Sequence, residues 1–82
     1  MKLEVKVKQK YIVHSQIRST TDCPIAHALK DQHPRDGLWM VWMDRVALWP
    51  GPSYPLPKEA TEFIMDMLDN KPVLPFTFIL EV

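Results

Sequence analysis

Glycine, cysteine and net charge are what this chain has least of. Only two glycines occur in 82 residues, and Gly37 and Gly51 stand apart, beside Asp36 and between two prolines, so no glycine-rich loop can cradle a phosphate. The single cysteine, Cys23, rules out an internal disulfide and fits a reducing compartment, while a bridge between chains stays open. It also leaves no C-x-x-C pair. A metal could recruit Cys23, His27, Asp31 and His33, but it needs three or four ligands and the chain has one cysteine and no paired motif, so no metal ligand and no cofactor is assigned. Ten basic and ten acidic side chains cancel, which removes the whole-chain field that draws proteins to nucleic acid or anionic lipid. No apolar run approaches the ~20 residues of a membrane-spanning helix. The N-terminus, Met1 to Lys8, alternates charged with apolar residues and lacks the apolar core of a signal peptide. These absences together predict a soluble cytosolic protein with no membrane association, folded as a single domain over residues 1–82.

What is abundant is tryptophan in one place. All three fall within Leu38-Trp39-Met40-Val41-Trp42-Met43-Asp44-Arg45-Val46-Ala47-Leu48-Trp49, a run too short to span a membrane and apolar almost throughout. Its one polar break, Asp44-Arg45, predicts a hairpin with a two-residue connection there. Met43 would then pair with Val46, Val41 with Leu48, Trp42 with Ala47 and Met40 with Trp49. Strands have two faces, and a core this small can cover only one. Trp39, Val41, Met43, Val46 and Leu48 form the set expected inside, and Met40, Trp42 and Trp49 the set expected outside.

The rest of the chain has clear periods. Residues 2–13 read as a strand with Leu3, Val5, Val7, Tyr11 and Val13 on one face and Lys2, Glu4, Lys6, Lys8 and Lys10 on the other. His14 to Asp22 reads as a loop. A first helix is expected from about Pro24 to Gln32, opened by a proline whose missing N–H costs nothing there and closed by Pro34 and Gly37. Pro50 to Pro57 reads as a rigid connector without secondary structure. From Pro57 a second helix carries Ala60, Phe63, Ile64, Met67 and Leu68 in a continuous stripe, and Asn70 and Pro72 end it. Val73 to Val82 alternates Phe76, Phe78, Leu80 and Val82 against Thr77, Ile79 and Glu81, with Pro75 confining it to a sheet edge or a strand start. The order βαββαβ predicts an α+β protein with a ferredoxin-like split βαβ arrangement, a four-stranded antiparallel sheet with two helices on one face. Its open face would carry Lys6, Lys8, Met40, Trp42 and Trp49, with the last strand beside the first.

Three chemistries compete for these residues. Cys23 and His27 lie one helical turn apart, as a nucleophile and base might, but no third orienting group or oxyanion backbone accompanies them, and a buried structural cysteine is the better reading. Glu59, Glu62 and Asp66 share the solvated face of the second helix, so they do not read as a carboxylate pair. Aromatics beside lysines on an open sheet match the way RNA-recognition folds stack bases, yet the first strand offers no exposed aromatic. Protein contact is therefore preferred, through a second copy as a homodimer or through another protein, with single-stranded nucleic acid as the alternative. The protein is expected not to be an enzyme.

Asp22-Cys23-Pro24-Ile25-Ala26, then Leu56-Pro57-Lys58-Glu59-Ala60-Thr61-Glu62-Phe63-Ile64, then Pro75-Phe76-Thr77-Phe78 resemble, in order and spacing, small uncharacterised proteins of bacteriophage and prophage genomes. The resemblance implies a phage-type protein acting in the host cytosol, with a host factor as a further candidate partner, and implies no chemistry. Trp39, Trp42 and Trp49 are bulkier than that pattern.

Overall fold

A computed structural model describes residues 1–13 and 19–82; the loop expected at His14–Arg18 lies outside the described residues. The chain is α+β. It runs β1 (Lys2–Val7), α1 (Gln9–Val13), α2 (Pro24–Gln32), β2 (Leu38–Val41), β3 (Arg45–Trp49), β4 (Ser53–Pro55), α3 (Lys58–Leu68) and β5 (Phe76–Glu81). The strands form two antiparallel sheets, β1–β5 and β2–β3–β4. Among the described residues no four-stranded sheet forms.

The expected alternations hold in β1 and β5. Leu3, Val5, Val7, Phe78 and Leu80 are buried, and Lys2, Glu4, Lys6, Thr77, Ile79 and Glu81 face out. Lys2 stands opposite Glu81 and Lys6 opposite Thr77, so the last strand does lie beside the first. The two helices with clear stripes also form where expected. Cys23 caps α2, its Sγ accepting from the Ala26 amide at 3.4 Å. Asn70 takes the left-handed conformation, φ 58°, while Lys71 N–H reaches back to the Asp66 carbonyl at 2.8 Å and closes the end of α3.

A single hydrogen-bonded seam explains why the sheets are separate. The Gln32 side chain accepts from the Lys6 N–H at 2.8 Å and donates to the Lys6 carbonyl at 2.7 Å. One residue on, His33 Nε2 bonds the Glu4 carbonyl at 2.7 Å. These groups lie on the edge of β1 that would have to pair with the tryptophan hairpin. Side chains at the end of α2 take that edge instead, and His33 also accepts a 2.9 Å hydrogen bond from Trp39 Nε1 through its own carbonyl. Helix α2 thus packs against both β1 and β2, with Ile25, Ala28 and Leu29 fully buried between them.

Two local expectations are corrected. Residues 9–13 are a short helix rather than the end of a strand. Gln9, at a position due for the apolar face, already breaks the alternation, and the helical turn carries the Tyr11 hydroxyl to Asp31 Oδ2, 2.8 Å away on α2, and within 3.3 Å of Gln32 Nε2. Val13, assigned to the buried face, is 62% exposed. The proline connector also contains a strand: Arg45, Val46 and Ala47 pair with Pro55, Tyr54 and Ser53. β4 is an edge strand, where a residue without an N–H is tolerated.

Candidate functional site

The hairpin turn sits one residue earlier than expected. Trp42 N–H donates to the Arg45 carbonyl at 2.8 Å, so Met43 and Asp44 make the connection rather than Asp44 and Arg45. The pairs become Leu38 with Trp49, Trp39 with Leu48, Met40 with Ala47 and Val41 with Val46. Moving a two-residue turn by one position changes every partner by two, and a strand has a period of two. The two faces therefore keep their members although no expected pair survives. Trp39, Val41 and Val46 are buried and Leu48 is half-buried. Met43 is the exception: expected inside, it is 46% exposed because it lies in the turn.

The outward face of β2 and β3 carries Leu38, Met40 and Trp42 on one strand and Arg45, Ala47 and Trp49 on the other. Trp49 is 61% and Leu38 39% exposed, directly opposite each other. Met40 and Trp42 are half-buried. The Arg45 guanidinium stands 4.8 Å above the Trp42 ring, a contact worth about 0.5–1 kcal/mol at an exposed site. Gly37 delivers the chain to this face. Its φ is +127°, and a Cβ there would come within 2.6 Å of the Trp49 carbonyl oxygen, so no larger residue fits.

Met40, Trp42 and Trp49 thus lie on one face of the hairpin, with Trp42 at the turn and Trp49 at the far end, whereas Lys6 and Lys8 do not lie on it. Lys6 lies in the other sheet, its ammonium 3.7 Å from Glu4, and Lys8 follows the end of β1, exposed. Sequence reasoning missed Leu38 and Arg45. Both were legible, since they share the parity of Met40, Trp42 and Trp49 once the turn is placed.

A cleft of about 220 Å³ opens beside this face. The hairpin tip contributes Val41, Trp42 and Met43, the start of α2 Cys23, Pro24 and Ile25, and α3 Phe63, Ile64, Met67 and Leu68; Ser19 and Thr20 complete the lining. None of these side chains is charged. Ser19 Oγ is occupied by the Thr21 and Asp22 amides at 3.3 and 3.0 Å. The Thr20 carbonyl accepts from Val41 N–H at 2.8 Å, fixing this segment to β2.

Cys23 is buried, and desolvation pushes its thiol above the ordinary value even though the Ala26, Ile25 and Cys23 amides pull the other way. The His27 ring bonds Asp22. Asp22 is an orienting partner for His27 that the sequence does not reveal; it is the Cys23 thiol itself, buried and with desolvation opposing its ionisation, that is poorly suited to nucleophilic attack. Among the described residues no three His, Cys, Asp or Glu side chains gather where a metal could sit, and no helix is long and apolar enough to cross a membrane. No protein family, no characterised protein and no solved structure matches this chain.

Proposed function

We infer that this protein acts by binding protein, without catalysis, through the outward face of the β2–β3–β4 sheet, with Met40, Trp42 and Trp49 joined by Leu38 as the contact residues. The observation that carries this reading is Trp49, an indole 61% exposed in the middle of the chain and level with an exposed leucine on the neighbouring strand. Aromatic side chains and Met are enriched in the centres of interfaces, and Trp is among the residues whose truncation costs most there.

The nucleic-acid reading is weaker than the sequence suggested. Stacking surfaces for single strands need cations alongside the rings, whereas Lys6 belongs to the other sheet and Lys8 follows the end of its first strand. Among the described residues only Arg45 stands over the Trp42 ring. The simplest partner is a second copy, forming a homodimer in the cytosol; a host protein contacted by a phage-type chain is the alternative occupant of the same face.

Sedimentation velocity across a concentration series tests the simplest form. The wild type is expected to associate reversibly, and Trp49→Ala to run as a monomer with an unchanged circular dichroism spectrum. A wild type that stays strictly monomeric at high micromolar concentration defeats self-association. A fluorescence anisotropy shift with single-stranded DNA that weakens steeply with salt would favour nucleic acid instead.

A further inference from the structure

We propose that the cleft between the start of α2, the hairpin tip and α3 binds a small, flat, uncharged aromatic molecule. This goes beyond the protein-binding reading and does not depend on it, because the cleft lies around the end of the hairpin and shares Trp42 with that face but not Met40, Trp49 or Leu38.

Size, polarity and surface chemistry each narrow the ligand. A volume of about 220 Å³ exceeds the roughly 150 Å³ of an apolar cavity known to hold benzene, and falls short of the roughly 300 Å³ at which drug-sized sites begin. One ring or two fused rings is the size that fits. With no charged side chain among the described lining residues, an anion or a cation would lose its hydration and gain no partner from them, which favours a neutral ligand. The walls combine Trp42 and Phe63 with the sulfur-containing residues Cys23, Met43 and Met67. Aromatic and thioether groups favour a π-face over an alkyl chain by stacking and sulfur–ring contacts. Arg45 already covers one face of the Trp42 ring, so the indole is held in place and meets the cleft with its other face or its edge. The Thr20 hydroxyl, at the half-buried rim, makes no hydrogen bond with another described residue. It can take a single N–H or O–H from the ligand.

The test uses the whole chain and indole as the probe, followed by amide chemical-shift mapping. Saturable shifts are expected in the segments around Cys23, Met43 and Met67. Ile64→Phe, which places a ring into the cleft from its half-buried position on α3, is expected to weaken indole binding at least tenfold while leaving the spectrum of β1 and β5 unchanged. Trp49→Ala is expected to bind indole as the wild type does, which separates this site from the protein-binding face. Benzoate, of similar size but charged, should cause no saturable shift. Absence of saturation by indole in the wild type, shifts scattered over the surface, unaltered binding in a folded Ile64→Phe, or benzoate binding as well as indole would each overturn the proposal. Should Ile64→Phe fail to fold, Thr20→Val supplies the second arm: a several-fold loss for indole with no change for naphthalene supports the site, and equal affinities for both probes in wild type and variant overturn it.

Discussion

The outward faces of the two sheets are built from opposite materials. On β1 and β5 the chain presents Lys2, Glu4, Lys6, Thr77, Ile79 and Glu81, with Lys2 3.7 Å from Glu81 across the strands. On β2 and β3 it presents Leu38, Met40, Trp42, Arg45 and Trp49. The edges differ in the same sense. The free edge of β1 is satisfied by Gln32 and His33, whereas the outer edge of β2, among the described residues, makes one backbone hydrogen bond, donated by Val41 N–H to the Thr20 carbonyl. A charged face with a sealed edge has no need of cover. An apolar face with two tryptophans has every physical reason to acquire it.

Helix α2 joins the two regions, so the strongest way to break the comparison is to remove its packing. Leu29→Ala deletes a fully buried side chain and is expected to cost about 2–5 kcal/mol. A chain of this size holds only a few kcal/mol in reserve, so urea denaturation should find the variant largely unfolded, both sheets together. A smaller lever acts on the sealed edge alone. Gln32→Ala leaves the Lys6 N–H and carbonyl to solvent and should cost about 0.5–1.5 kcal/mol in the same assay. Its further signature is a β1 edge open to pairing, seen as slow aggregation that Trp49→Ala does not show.

The α1–α2 contact sets a pH dependence. The Tyr11 hydroxyl, and after it the Lys10 ammonium at 3.5 Å, hold the Asp31 carboxyl below the ordinary carboxylate value. A folded value below the unfolded one means the contribution is present above the unfolded value, about 3.9, and is lost as pH falls through the folded value. Carboxyl NMR titration should show Asp31 moving back up in Tyr11→Phe. Asp31 is solvent-exposed, so the effect on overall stability is small and belongs to the acid limb of the curve.

The smallest expected change in stability is at Trp49. Replacing this exposed indole by Ala should alter unfolding by less than about 0.5 kcal/mol. Its effect on association should be far larger, and that dissociation of stability from assembly is what sharpens the contrast between the sheets.

Much of this molecule was legible in local sequence. Pro24 to Gln32 and Lys58 to Leu68 carry apolar residues at helical spacing, and Leu3-Val5-Val7 and Phe78-Leu80 alternate cleanly. Met40, Trp42 and Trp49 share one face with the turn at either position, because parity survives a shift of two. The cleft was not legible, since Cys23, Met43 and Met67 belong to three elements whose meeting no spacing records.

The sequence by itself determined which residues form helices and strands and which side of each turns inward, because both follow from periods of 3.6 and 2 within a few neighbouring residues. Only the tertiary structure decided how the strands pair. The Gln32 amide reaches the backbone of Lys6 across 26 positions of sequence and fills the edge a third strand would have used. Tyr11 bonds Asp31, 20 positions away, in a segment helical from Gln9 to Val13. Hydrogen bonds between distant residues compete directly with strand pairing for the same N–H and carbonyl groups, and a local period carries no information about which competitor will be within reach.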